Sequence, residues 1–413
     1  MRLLHTSDWH LGHRFHGRQR HEEQGRFLDW LAGLIEKQAI DVLLVAGDIF
    51  DTTTPGSRAQ ALYYRLLHRL AASSCRHVVI IGGNHDSPAL LEAPRELLRQ
   101  LDIHVVGMAG DDPDREFILL NDARGAPELL VCAVPYLRDR DVRQAMAGET
   151  LEDKGRQQRE AVRAHYQNLC LMAEERRRAI DADLPLVAMG HLFVAGGRTV
   201  EGDGVRDLAV GGLDRIEAGY FPETIDYLAL GHLHIGQMVA GNPSRRYCGA
   251  PLPMSFAEAD STKEVLLLTA GGRDFAVEPI KVPLFQPLAS LRGDLPFLLR
   301  EVERLRAAQN SAWIELVYEG DRAIPDLREQ LLAAVEGSEL AVLRIRNNRI
   351  FDYVLRQTQD IESLDDLSVS EVFERCLQTN NIEEAQRQVL RAAFAEIVDA
   401  LDREEAGEPG GQP

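Results

Sequence analysis

Short apolar runs recur along the first 285 residues, and each ends in small residues followed by a polar side chain. These runs occupy residues 2–7, 41–47, 77–83, 184–190 and 225–231. Because they are rich in Val, Ile and Leu and most are bounded by glycine, they predict buried sheet strands. Amphipathic stretches at 22–38 and 58–72 lie between the first three runs and predict helices. The alternation favours an α/β layered fold with polar groups at the carboxyl ends of the strands.

The pattern changes after the last of these strands. Residues 150–181 form a long polar helical stretch, and strands at 263–270 and 275–282 are predicted to complete a second sheet. Helix, strand, helix and strand then follow at 295–308, 312–318, 325–336 and 340–346. We therefore predict a main domain (1–285), a small α/β capping domain (286–350), a C-terminal helical segment (351–403) and a disordered tail (404–413).

Composition places the chain among ordinary globular proteins, with 45% hydrophobic and 27% charged residues. The five cysteines are scattered and never form a C-x-x-C pair, which argues for buried free thiols over disulfides or a structural zinc site. No apolar run is long enough for a membrane span. A polar motif begins at Asp8, and a cleaved signal peptide would remove it, so we expect an unprocessed cytoplasmic chain.

The net charge of −19 argues against loose binding to nucleic acid, because phosphate backbones attract Lys and Arg. Only four of the 46 basic residues are lysines, however, and arginine binds phosphate through its bidentate fork. The segment 14–26 (RFHGRQRHEEQGR) is locally basic. It is either a DNA-facing loop or a solvated surface loop, and the sequence alone favours neither.

Five polar motifs follow the predicted strands. They are Asp8-Trp9-His10, Gly47-Asp48, Gly83-Asn84-His85-Asp86, Gly190-His191 and Gly231-His232-Leu233-His234. Each motif alone has an ordinary structural reading, such as a turn or a hydrogen-bonded histidine. Their joint occurrence at one topological position indicates a metal site instead. The mixed nitrogen and oxygen donors suit Mn²⁺, while Mg²⁺, Fe and Zn²⁺ stay open.

This ordered set resembles the calcineurin-like metallophosphoesterase superfamily, whose pattern is D-x-H, G-D, G-N-H-D/E, G-H and G-H-x-H. The resemblance implies a two-sheet layered core flanked by helices, and two bound ions. It implies that Asp48 bridges the ions. The remaining ligands would be Asp8, His10 and His234 for one ion and Asn84, His191 and His232 for the other.

Hydrolysis of a phosphodiester requires charge neutralisation at phosphorus, an activated water and a proton for the leaving oxygen. We expect His85 to be the general acid and Asp86 to orient its ring, although His85 could instead be purely structural. Asp51 could support the metal site or cap the following helix, and we favour capping.

Longer strings narrow the resemblance to the SbcD family of nucleases. They lie at 5–12 (HTSDWHLG), 46–51 (AGDIFD), 82–87 (GGNHDS), 190–193 (GHLF), 227–234 (YLALGHLH) and 247–251 (YCGAP). This family implies Mn²⁺-dependent exonuclease and endonuclease activity on duplex ends and hairpin DNA, in DNA repair, recombination and replication at the nucleoid. It also implies a homodimer that joins an SbcC-type SMC ATPase in a heterotetramer. The chain has no G-x-x-x-x-G-K-[ST] loop, so any ATP dependence must come from such a partner.

Three alternatives remain at this point. The C-terminal helical segment could dock a partner's coiled coil or pack on the chain's own core. A phosphatase or small-molecule phosphodiesterase of the same superfamily would have the same motifs, although it would need only one domain with a closed pocket. A scaffold that has lost its metals is disfavoured because every motif is intact.

Overall fold

The computed structural model describes residues 1–110, 112–142, 150–199, 215–320, 324, 326–347, 391 and 394. One compact unit comprises Met1–Leu291, Pro296–Leu316 and Asp326–Ile345. The other unit comprises Arg292–Leu295, Val317–Pro325 and Arg346–Pro413, and few of its residues are described. The predicted helical segment 351–403 and tail 404–413 lie outside the described residues, apart from 391 and 394. The predicted domain boundaries therefore stay predictions.

The described residues form seventeen strands and eight α-helices, numbered along the chain. The strands are β1 (Arg2–Thr6), β2 (Arg14–Phe15), β3 (Arg18–Gln19), β4 (Val42–Ala46), β5 (His77–Ile81), β6 (Ile103–Val106), β7 (Phe117–Asn121), β8 (Pro127–Ala133), β9 (Leu186–His191), β10 (Tyr227–Gly231), β11 (Gln237–Val239), β12 (Asn242–Tyr247), β13 (Glu264–Gly271), β14 (Asp274–Lys281), β15 (Leu288–Gly293), β16 (Trp313–Tyr318) and β17 (Ala341–Asn347). The helices are α1 (His21–Lys37), α2 (Ser57–Ala71), α3 (Pro88–Glu92), α4 (Arg95–Arg99), α5 (Asp139–Val142), α6 (Leu151–Ile180), α7 (Leu295–Ala307) and α8 (Leu327–Val335).

The first sheet has the strand order β14-β13-β1-β4-β5-β6, and its four strands β1, β4, β5 and β6 run parallel. The pairs Thr6–Val45 and Ala46–Ile81 bring the carboxyl ends of β1, β4 and β5 to one edge of the sheet. The motifs that follow these strands therefore begin side by side, as the α/β prediction requires.

The second sheet has the order β11-β12-β10-β9-β8-β7. Strands β9 and β10 run parallel with His191 opposite Gly231, so the last two motifs also begin together. The two sheets pack face to face, because side chains from both, such as Leu44, Val131 and Tyr227, form one buried cluster. Helices α1 and α2 cover the outer face of the first sheet, and α6 covers that of the second. This arrangement confirms the predicted two-sheet core flanked by helices.

One strand prediction is wrong. The strands near 263–270 and 275–282 exist, but β13 pairs antiparallel with β1 and so extends the first sheet. The physical reason is the apolar run Val265–Leu268, whose alternate faces are both buried. Pairing with β1 covers the edge that β1 would otherwise expose. The second sheet is completed instead by β7, β8, β11 and β12.

The long polar helix was predicted closely. Thr150 is the N-cap of α6 and accepts a hydrogen bond from the Asp153 backbone N–H at 3.1 Å. The helix, strand, helix and strand predicted at 295–308, 312–318, 325–336 and 340–346 correspond to α7, β16, α8 and β17. Cys75, Cys132, Cys170 and Cys248 are buried free thiols. Within the described part of the chain, no helix combines the length and apolarity needed to cross a membrane.

We predict that Leu44→Ala destabilises the protein strongly, because Leu44 is fully buried between the two sheets. A buried Leu→Ala change typically costs about 2–5 kcal/mol of unfolding free energy. Leu284 is 62% exposed, so Leu284→Ala should change that free energy by less than about 0.5 kcal/mol. Urea unfolding followed by circular dichroism measures both, and equal effects would contradict the assignment of Leu44 to the core.

Candidate metal centre

The loops after β1 and β4 are tied to each other by backbone hydrogen bonds. The Asp8 N–H donates to the Gly47 carbonyl and the His10 N–H donates to the Asp48 carbonyl, both at 3.0 Å. Asp8, His10 and Asp48 have φ values of 52°, 44° and 50°. Non-glycine residues adopt this left-handed region at a cost, and such strain concentrates at functional sites. The strained backbone turns all three side chains towards one point between the sheets.

Two glycines are required for the loops to approach this closely. A Cβ atom on Gly83 would lie 2.1 Å from Oδ1 of Asp48. A Cβ atom on Gly231 would lie 1.9 Å from the Ala46 carbonyl oxygen. Both distances are far below van der Waals contact. Gly83 thus allows the loops after β4 and β5 to approach within the first sheet, and Gly231 allows the second sheet to approach the first.

Asp8, His10 and His234 form the first group of possible ligands, and all three are buried. Nε2 of His10 lies 3.1 Å from Nε2 of His234 and 3.6 Å from Oδ2 of Asp48. The Asp8 carboxylate accepts hydrogen bonds from the Ser7 hydroxyl and, at 3.0 Å, from the His232 backbone N–H. These bonds hold Asp8 against the loop that follows β10.

Asp48, His191 and His232 form the second group. Nε2 of His191 lies 3.3 Å from Oδ2 of Asp48 and 2.9 Å from Oδ1 of Asn84. Nδ1 of His232 lies 3.0 Å from the same Asn84 oxygen. Nδ1 of His191 lies 2.9 Å from the Ala46 carbonyl, which fixes its ring and turns Nε2 inward. Asp48 therefore lies close to imidazoles of both groups.

The carboxylates and imidazoles of the cluster shift one another's pKa values, because they are buried close together. Burial raises the pKa of Asp8 to about 6. Burial acts in the same sense on Asp48, but the His191, His10 and His85 imidazoles outweigh it and hold the pKa of Asp48 well below its usual range. The charge of Asp48 in turn raises the pKa of His191 to about 9 against the effect of burial. Positive charge is thus favoured at the point where these side chains meet.

The donor set fits divalent metal ions. Buried imidazole nitrogens, carboxylate oxygens and one amide oxygen converge in two groups that meet at Asp48. Two imidazole nitrogens 3.1 Å apart either share a proton or direct lone pairs at a common cation. The structure therefore brings together all seven residues that the sequence indicated as ligands: Asp8, His10, Asp48, Asn84, His191, His232 and His234.

His85 lies at the rim of this cluster and is half-buried. Its backbone N–H donates to Oδ1 of Asp48 at 2.9 Å, and its ring stacks edge-on against His10 at a centroid distance of 4.9 Å. Nδ1 of His85 lies 2.8 Å from the backbone carbonyl of Asp51. Nδ1–H donation to that carbonyl would leave Nε2 as the nitrogen that can exchange a proton.

The structure corrects the role that we assigned to Asp86. Its carboxylate is fully buried and accepts hydrogen bonds from the backbone N–H groups of Ile49, Phe50 and Gly83, at 2.9–3.1 Å. The His85 ring is bound by the Asp51 carbonyl instead. Asp86 therefore stabilises the two loops that contain Asp48 and Asn84. Sequence adjacency misled the prediction, because successive side chains in this turn point in different directions.

The preference for helix capping by Asp51 was also wrong. The N-cap of α2 is Gly56, and no side chain caps that end. Oδ1 of Asp51 lies 3.3 Å from Nδ1 of His10 and 3.0 Å from Nδ1 of His13. A carboxylate behind a ligating imidazole fixes its orientation, and Asp51 is placed to do this for His10. His13 was missed altogether, and the only sequence signal was its position three residues after His10.

Comparison with known proteins agrees with this geometry. Residues 1–236 match the calcineurin-like phosphoesterase family, and residues 284–381 match a family described as the type 5 capsule protein repressor C-terminal domain. The chain is 37% identical over 404 residues to the SbcD component of the SbcCD nuclease of Escherichia coli, covering 97% of this chain and 98% of that protein. It is 35% identical over 356 residues to the corresponding protein of Rhodobacter capsulatus, covering 82% and 85%.

Among solved structures, a dimetal phosphatase from Danio rerio is 12% identical. The structural match covers 68% of this chain and 99% of the phosphatase chain. The TM-score of this match is 0.35.

We predict that Asp86→Ala destabilises the protein, because it leaves three buried backbone N–H groups without their acceptor. Each unsatisfied group costs about 1–3 kcal/mol. The exposed Asp274→Ala variant is the control. Thermal unfolding of metal-free protein is the measurement, so that loss of ions does not contribute. If Asp86 only oriented His85, the melting temperature would match that of the control.

Proposed function

Because the chain belongs to the SbcD family, with a calcineurin-like phosphoesterase domain, it is a metal-dependent nuclease, and we propose that it cuts phosphodiester bonds in DNA with two Mn²⁺ ions. The proposal includes exonuclease and endonuclease action on duplex ends and hairpins. The observation behind it is the meeting of two buried ligand groups at Asp48.

The seven converging residues would hold the ions. Asp48 would bridge them, with Asp8, His10 and His234 on one side and Asn84, His191 and His232 on the other. When bound, the ions would neutralise the phosphoryl oxygens and activate a water for in-line attack. His85 would give a proton to the leaving sugar oxygen, with the Asp51 carbonyl holding its ring in place.

The proposed assembly follows from the relatives. The name of the matched relatives refers to an SbcCD complex, so we propose an SbcC-type SMC ATPase as partner, two copies of this chain in a heterotetramer, and action at the nucleoid in DNA repair and recombination. The C-terminal segment 351–403 is the proposed docking region. The mass of the purified chain, measured by light scattering, tests the homodimer, and a monomer at all micromolar concentrations would contradict it.

The proposed substrate is tested by incubating the purified chain and Mn²⁺ with a labelled blunt duplex, a labelled hairpin and bis-p-nitrophenyl phosphate. DNA cleavage that requires the metal supports the proposal. Hydrolysis of the small ester with intact DNA, even after addition of the ATPase partner, would make the protein a small-molecule phosphodiesterase.

We predict that His85→Ala lowers DNA cleavage by about 10²–10⁴-fold, because a general acid contributes that much. Its metal content should stay at the unaltered level. Hydrolysis of bis-p-nitrophenyl phosphate should fall much less, since p-nitrophenolate leaves without needing a proton. His68→Ala, on the exposed face of α2, is the control. Equal losses on both substrates, or loss of metal, would mean that His85 is structural.

We predict that Asp48→Ala removes both ions, because each ligand group loses the carboxylate that joins them. Metal analysis after gel filtration should find almost no bound metal. The exposed Asp29→Ala variant should retain its metal. Retention of two ions by Asp48→Ala would refute the bridging role.

A further inference from the structure

A groove of about 530 Å³ lies between α1 and α2 on the outside of the first sheet. Its lining comes from the first half of α1 and the first half of α2. The charged lining residues are three arginines, Arg26, Arg58 and Arg65, two carboxylates, Glu22 and Asp29, and one histidine, His21. Carboxylates outnumber basic side chains in the chain as a whole, which has a net charge of −19. In this groove the arginines outnumber the carboxylates instead.

The two helices that line the groove begin beside the loop that contains His10. The Gln24 side chain of α1 donates to the His10 carbonyl at 2.8 Å and accepts from the Gly12 N–H at 3.1 Å. A Cβ atom on Gly12 would be 3.4 Å from Cβ of Ala59 in α2. The amino-terminal ends of both helices thus pack against the loop that contains His10. The groove-lining residues His21 and Arg58 belong to these same helix ends.

The carboxylates in the groove do not cancel its positive charge. Glu22 is 4.0 Å from Arg26, and its side chain is 93% exposed, so that pair contributes little. Asp29 lies 3.6 Å from Arg69, which also lies 3.4 Å from Glu36 and is outside the groove lining, so Asp29 is paired with an arginine other than the three in the groove. Burial, followed by the charges of Arg58 and Arg14, lowers the pKa of His21. Arg58 and Arg14 are therefore both near His21, the first residue of α1.

We propose that this groove binds the sugar-phosphate backbone of duplex DNA outside the catalytic site and aligns it with the metal centre. The inference rests on the proposed function, since it assumes a DNA substrate. Arginine matches phosphate through two parallel N–H donors, and the groove presents three of them on two rigid helices. Such contacts are independent of sequence, which suits a nuclease that must process any DNA end.

The test compares two triple variants of the full-length, Mn²⁺-loaded protein that change the net charge equally. The groove variant is R26Q/R58Q/R65Q, and the control is R178Q/R304Q/R306Q on α6 and α7. The readouts are duplex binding by fluorescence anisotropy, DNA cleavage between 50 and 200 mM salt, and hydrolysis of bis-p-nitrophenyl phosphate. Each phosphate contact contributes about 0.9 to the slope of log K against log salt.

The groove variant should bind duplex DNA roughly 100-fold more weakly at 0.15 M salt, with a slope shallower by about 2.7. Its KM for DNA should rise while its kcat and its hydrolysis of the small ester stay unchanged. Groove and control variants that bind and cut DNA alike would overturn the proposal. Unaltered protein that hydrolyses the ester but neither binds nor cuts DNA, even after addition of the ATPase partner, would overturn the proposed function, and the groove proposal with it.

Discussion

The carboxylate of Asp48 must remain charged although it is almost completely buried, and the rest of the site is organised around that requirement. An isolated buried carboxylate would take up a proton, because charge is costly away from water. Here the imidazoles of His10 and His191 lie within 3.6 Å of Asp48, and the His85 N–H donates to it. Divalent ions would satisfy the same requirement more fully, and this packing is suited to hold them.

The two-sheet architecture fixes the positions of the side chains that form the centre. Candidate ligands that follow β1, β4 and β5 in one sheet meet candidate ligands of β9 and β10 in the other, so neither sheet alone can form the site. The left-handed backbone at Asp8, His10, Asp48 and His232 is strained, and the shared buried core between the sheets keeps it in place. Asp86 contributes in the same way, since one side chain satisfies three backbone donors from two loops.

Much of this could be predicted from the sequence, because the signals were local. Apolar runs ending in small residues located the strands, and the polar residues directly after them form the candidate ligand groups. The failures concerned non-local geometry. Pairing of β13 with β1 depends on which sheet has an unpaired edge strand, and the hydrophobic periodicity of the sequence does not show this. The contacts of Asp51 with His10 and His13, and the binding of the His85 ring by the Asp51 carbonyl, depend on the directions of side chains in tight turns.

The most direct test of the account is a crystal structure of the Mn²⁺-soaked protein with data collected at the manganese absorption edge. The account predicts two anomalous peaks, both within coordination distance of Asp48. One should contact Asp8, His10 and His234, and the other Asn84, His191 and His232. A single peak, or two peaks that do not share Asp48, would contradict the two-metal centre.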